Sequence, residues 1–120
     1  MKTTVLKRCI APVLLLSVMQ AATAAETYWV EIQSVRYTCA SSACGVLGSL
    51  REGSKLEVLE VKSGFGRITE QYDAKCVNGR SSLVKAGYNE CNAKNGIPNG
   101  TVAEWVQMEY LSNQAPSHKH

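Results

Sequence analysis

The 120-residue chain has only two histidines, His118 and His120, and both stand in its last three residues. Nucleophilic catalysis of the Ser-His or Cys-His kind needs an imidazole held beside the nucleophile, so a terminal pair of this sort excludes it as the working reading. As an isolated pair in a polar tail they read as a solvated end rather than a metal site. Paired carboxylates give no better acid-base candidate. Glu57 and Glu60 would face opposite sides of a strand, and Glu70 and Asp73 lie in loop-like sequence. A phosphate-cradling loop is missing as well, because Gly64-Phe65-Gly66 is not followed by a helical stretch. No segment shows a sustained helical period, and no internal repeat is visible. The sequence therefore points away from an enzyme and calls for no cofactor.

Long apolar runs are scarce. The longest, Ile10 to Val18, is about half of the roughly 20 residues a membrane span needs. It follows Lys2, Lys7 and Arg8 and precedes the small residues Ala21, Ala22, Thr23, Ala24 and Ala25, the layout of a removable secretory signal over residues 1–25. Cleavage after Ala24 or after Ala25 fits equally, and Cys9 leaves with the signal. No membrane span then remains, and a periplasmic or secreted protein is expected. An excess of one charge is also missing once the signal is set aside. Of 13 basic residues three go with it and none of the 10 acidic ones do, so the mature chain is neutral, at ten against ten. Counterion-release binding to nucleic acid has no support in such a composition.

What the mature chain does have is an even set of cysteines, Cys39, Cys44, Cys76 and Cys91. In a small exported domain this predicts two disulfides, and three pairings are open from sequence. We favour Cys39 with Cys44 and Cys76 with Cys91, because each closes a short loop. Loop-closure entropy assigns them about 2 and about 3 kcal/mol. Zinc is the rival, but only Cys39 and Cys44 approach ligand spacing.

Strand signals dominate the rest. Tyr28 to Ile32 alternates, with Trp29 and Glu31 on one face and Tyr28, Val30 and Ile32 on the other. Val46 to Leu50 leads through the turn Arg51-Glu52-Gly53-Ser54 into the clearest strand, Lys55 to Val61. Lys62-Ser63-Gly64 turns the chain into Phe65 to Thr69. From Glu70 to Val102 the pattern loosens into turn dipeptides, Asn78-Gly79, Asn95-Gly96 and Asn99-Gly100, with Ser81 to Val84 as a possible hairpin arm. Trp105 to Leu111 closes the domain, and residues 113–120 form a flexible tail. Short strands at this spacing predict an all-β fold, a small barrel. Val30, Leu56, Val58, Ile68, Trp105 and Val106 are its expected interior.

The order of these motifs resembles the bacterial SH3 (SH3b) domain family. Ser34-Val35-Arg36 is similar to the family's Asn-Val-Arg, and Val46-Leu47-Gly48-Ser49-Leu50 with Arg51-Glu52-Gly53 and Lys55 to Leu59 is similar to its centre. Phe65, Arg67 and Ile68 stand where a tryptophan-led strand is usual, and Trp105-Val106 and Tyr110-Leu111 match its close. The match covers Val30 to Thr69 and Ala103 to Leu111, about half of the mature chain. Two departures matter. Tyr37-Thr38-Cys39 replaces the usual Ser-Gly-Pro, and an insertion, about residues 70–102, precedes the last strands. The resemblance implies an SH3-like barrel over residues 26–112 that acts as a binding or adaptor module for peptidoglycan or an envelope protein. Tyr37, Tyr72 and Tyr88 are the candidate ligand contacts, since they lie in loop-like sequence where an amphipathic ring can stack on a sugar or peptide. A second reading is a secreted inhibitor of lysozyme type, because Tyr37-Thr38-Cys39 in a small disulfide β-domain also resembles such inhibitors.

Overall fold

The computed structural model describes residues 25–117, so residues 1–24 of the expected signal and the His118/His120 pair lie outside the described residues. Alternation builds the first sheet. In β1 (Glu26–Val30) and β4 (Lys55–Val58) the residues Val30, Leu56 and Val58 turn to the interior, while Lys55 and Glu57 stay exposed. β1 pairs antiparallel with β4 on one side and with β12 (Leu111–Ser112) on the other. A second, five-stranded sheet contains β2 (Ser34–Tyr37), β3 (Val46–Leu50), β5 (Glu60–Lys62), β6 (Phe65–Arg67) and β11 (Trp105–Gln107), in the order β3-β2-β11-β6-β5. Two short ribbons complete the structure, β7 (Tyr72–Asp73) with β10 (Thr101–Val102) and β8 (Cys76–Val77) with β9 (Arg80–Ser81). The fold is all-β and antiparallel as expected, but among the described residues the strands form separate sheets and no closed barrel. Among the described residues the only helical pieces are 3₁₀ turns at Ala93–Asn95 and Met108–Tyr110.

The stretch Lys55 to Val61, which reads as one strand, is two. At Leu59 the chain leaves the first sheet for the second, and the Leu59 amide donates to the Arg67 carbonyl at 2.8 Å. Val61, beyond the break, lies on an edge strand and is 58% exposed, whereas Leu59 at the break is half-buried. The β5–β6 hairpin follows from Ser63 and Gly64, whose φ of 52° and 80° suit the two-residue turn matching strand twist. Gly66 then lets β6 close on the interior, since a Cβ there would come within 2.6 Å of Met108 Sδ and 3.0 Å of Val58 Cγ1.

Two apolar clusters hold the structure. One joins Val30, Val58, Val106 and Leu111, with Leu56 and Ile68 packed against them. The other joins Leu47, Ala74, Ile97 and Val102 and lies mostly within residues 70–102. A β-bulge connects them: Arg36 pairs with Gly48 and Tyr37 with Val46, leaving Leu47 as the extra residue, buried in the second cluster. Trp105 is buried, but it neighbours Val106 on a strand and pairs with Tyr37 and Arg67, so it packs on the sheet face opposite the first cluster. The expected hairpin at Ser81 to Val84 lies earlier, at Cys76 to Ser81. Asn78 and Gly79, with φ of 53° and 79°, supply the turn.

Both disulfides form with the favoured pairing, Cys39 to Cys44 and Cys76 to Cys91. The first staples the loop between β2 and β3, and the second ties the β8–β9 hairpin to the segment before the first 3₁₀ turn.

Candidate binding cleft

Because Val30 points inward, strand alternation sends its neighbour Trp29 to the outer face of the first sheet. Register places Lys55 of β4 and Ser112 of β12 on either side of it. The turn between β3 and β4 is clipped to the end of β1. Gly53 donates its amide to the Val30 carbonyl at 2.7 Å, and Val30 returns a bond to the Ser54 carbonyl at 2.8 Å. Gly53 has φ of 88° with open space where a Cβ would be, so the demand for glycine is conformational. This clip sets Arg51 and Glu52 beside Trp29 and Glu31. Across from them the chain after β12 is turned by Ser112, whose hydroxyl accepts from the Gln114 amide at 3.1 Å. Residues 114–117 thereby form the other wall.

The result is a cleft of about 650 Å³ lined by Trp29, Glu31, Arg51, Glu52, Ser112 and the 114–117 segment. That volume falls in the range of small-ligand sites. An indole offers a flat apolar surface, and both signs of charge surround it. The described ion pairs are Arg36–Glu104, Arg67–Glu60, Arg67–Glu70 and Arg80–Glu90, so among the described residues none joins Arg51, Glu31 or Glu52 to an opposite charge.

The three tyrosines singled out in the sequence do not line this cleft. Tyr37 ends β2, its ring edge-on to Phe65 at 5.7 Å between centroids. Tyr88 accepts from the Asn92 side-chain amide at 3.0 Å. Tyr72, in β7, donates to Glu104 Oε2 at 2.5 Å, while Glu104 Oε1 accepts from Arg36 Nη1 at 3.1 Å. The Arg36 guanidinium lies over Gly48, where a Cβ would sit 2.1 Å from Nη2, and its Nε is buried without a protein partner. Burial, and then the bond to Glu104, push the Tyr72 phenol well above its ordinary value. The folded protein thus favours the neutral phenol. Its contribution is complete below the unfolded value near 10 and is lost as pH rises past it. Tyr72→Phe is therefore expected to cost about 1.5–2 kcal/mol at neutral pH, the lower part of the range for a bond to a charged group at a half-buried site. The same variant should flatten the fall in stability between pH 9.5 and 11.5, roughly the span around a tyrosine's ordinary titration. Denaturant titrations at neutral and alkaline pH check this; an unchanged alkaline slope would refute it.

Trp29 and Glu31 share a face in the sequence, and that pairing was the available signal for the cleft. Arg51 and Glu52 read only as turn residues, because their proximity to Trp29 depends on the clip to Val30. Among the described residues no cluster of three or more His, Cys, Asp and Glu side chains could hold a metal ion. No helix among them is long and apolar enough to cross a membrane. No protein-family model, curated protein or solved structure matches the chain.

Proposed function

We propose that the protein is an exported binding module of SH3-like design whose cleft at Trp29 takes peptidoglycan. The observation that carries the reading is the cleft itself: an outward indole on a rigid strand, ringed by unpaired charges and hydroxyl or amide groups, suits a ligand that is part sugar and part peptide. Export agrees with the two disulfides, which persist in oxidising compartments. The SH3-like reading draws support from strand order. First and last strands pair in one sheet, and the Lys55 to Lys62 stretch crosses from that sheet into the other. On this reading residues 70–102 are an insertion that carries a small core of its own. The tyrosine hydroxyls of Tyr72 and Tyr88 are engaged within the chain, which leaves the cleft as the better contact surface.

The test is co-sedimentation of the purified, disulfide-bonded protein with purified peptidoglycan. The parent should pellet with the polymer. Trp29→Ala should reduce retention about tenfold or more, in line with loss of a stacked aromatic contact, while Tyr72→Phe should pellet like the parent. A parent that stays in the supernatant refutes the reading, and a lysozyme-inhibition assay then takes up the alternative.

A further inference from the structure

The charges of the cleft say more than its indole does. Arg51 and the two carboxylates Glu31 and Glu52 are all exposed, line one cleft, and are engaged by no opposite charge among the described residues. Elsewhere in the molecule arginines are engaged: Arg36 and Arg67 both hold carboxylates at 3.1 Å or less. Unpaired opposite charges around a common centre are arranged for a body that brings one charge of each sign. A neutral glycan would leave both signs unmet, and a simple anion or cation would leave one.

Resting on the peptidoglycan reading above, we infer that the cleft selects the zwitterionic end of the polymer's peptide stem, a group bearing ammonium and carboxylate on one carbon, over the neutral glycan. Arg51 takes the carboxylate through its forked N–H donors, the geometry in which a guanidinium surpasses an ammonium. Glu31 and Glu52, which line the same cleft, take the ammonium, and the Trp29 indole is apolar toward the stem and attractive to a cation. The walls are pre-built. The Gly53–Val30 and Val30–Ser54 bonds fix the turn that carries Arg51 and Glu52, so little ordering accompanies binding.

The experiment compares soluble probes by calorimetry: a tripeptide ending in free diaminopimelate, the same peptide with its terminal amine acetylated, the same with its terminal carboxylate amidated, and chitotetraose. The free peptide should bind, each blocked form should bind at least tenfold more weakly, and affinity should fall with added salt. Arg51→Gln should lose the discrimination against the amidated probe but keep that against the acetylated one. The double variant Glu31→Gln/Glu52→Gln should do the reverse. All three side chains are exposed, so these variants should melt with the parent. If chitotetraose binds and the peptide does not, the zwitterion inference is overturned while the peptidoglycan reading stands. Failure of all soluble probes with retained co-sedimentation overturns the inference alone. Loss of co-sedimentation overturns both.

Discussion

Asn95→Ala should unfold about 3–4 kcal/mol more readily than the parent, a large part of what a domain of this size has to spend. The Asn95 side chain is fully buried and uses its whole capacity. Oδ1 accepts from the Gly45 amide at 2.9 Å and from Thr38 Oγ1 at 3.0 Å, and Nδ2 donates to the carbonyls of Tyr88 at 2.9 Å and Glu90 at 3.0 Å. One residue thus fastens the disulfide-closed loop between β2 and β3 to the segment that follows the β8–β9 hairpin. Alanine leaves the half-buried Tyr88 and Glu90 carbonyls without the donor that Nδ2 supplied. The Gly45 amide retains a weaker bond to Thr38 Oγ1 at 3.2 Å, which keeps the loss below the sum of four bonds. Asn95→Asp should be worse than alanine, because it points an acceptor, charged when ionised, at the two carbonyls that Nδ2 had satisfied. Denaturant midpoints of the three proteins check both the size and the order. Variants within about 1 kcal/mol of the parent, or an aspartate more stable than the alanine, would refute the account.

The same residue shows what the sequence could and could not reveal. Asn78-Gly79, Asn95-Gly96 and Asn99-Gly100 are identical dipeptides, and each reads as a turn. The first is the tip of an exposed hairpin. The second terminates a 3₁₀ turn, and a Cβ on Gly96 would come within 2.3 Å of the Thr38 carbonyl and 2.7 Å of Cys39 Cβ. Nothing local distinguishes a solvated turn from a buried clamp, because the two partners of Oδ1, Gly45 and Thr38, lie 50 and 57 residues away in sequence. Long-range contacts explain the other differences too. Leu59 breaks a continuous alternating run because two sheets compete for it. Leu47 looks like one more residue of a strand, yet becomes a bulge that feeds a second core.

Features set by short separations were legible. The disulfides follow from intervals of 5 and 15 residues, and β1 and β4 follow from alternation. Of the expected interior, Val30, Val58 and Val106 are buried in the first cluster, with Leu56 and Ile68 packed against it. Trp105 is buried on the other side of its sheet, a distinction that alternation next to Val106 already contained. The cleft was half legible. Trp29 and Glu31 share a face by period two, but the turn residues that complete the site arrive through backbone bonds to Val30 that no pattern in residues 51–54 announces.

The second core offers the other large effect. Ile97 is fully buried among Leu47, Ala74 and Val102, so Ile97→Ala is expected to cost about 3–4 kcal/mol through lost burial and the cavity left behind. The more telling expectation is that the unfolding stays a single transition. Leu47 belongs at once to this core and to β3, and Val102 runs through Ala103 and Glu104 directly into β11. Glu104 also ties Tyr72 of the 70–102 segment to the main sheets. Its amide donates to Thr69 Oγ1 at 3.0 Å, its carbonyl accepts from the Ile68 amide at 2.9 Å, and its carboxylate holds both Arg36 and Tyr72. Loosening the second core therefore strains the strand that carries Val106 in the first. Both tryptophans lie in the two main sheets, so their fluorescence reports those sheets, while far-UV circular dichroism reports all the strands. In Ile97→Ala the two signals should fall together at a lower denaturant midpoint with an unchanged slope. An early dichroism change followed by a tryptophan transition at the parent's midpoint would instead make residues 70–102 a separately folding unit, and would remove the mechanical link argued through Leu47 and Glu104.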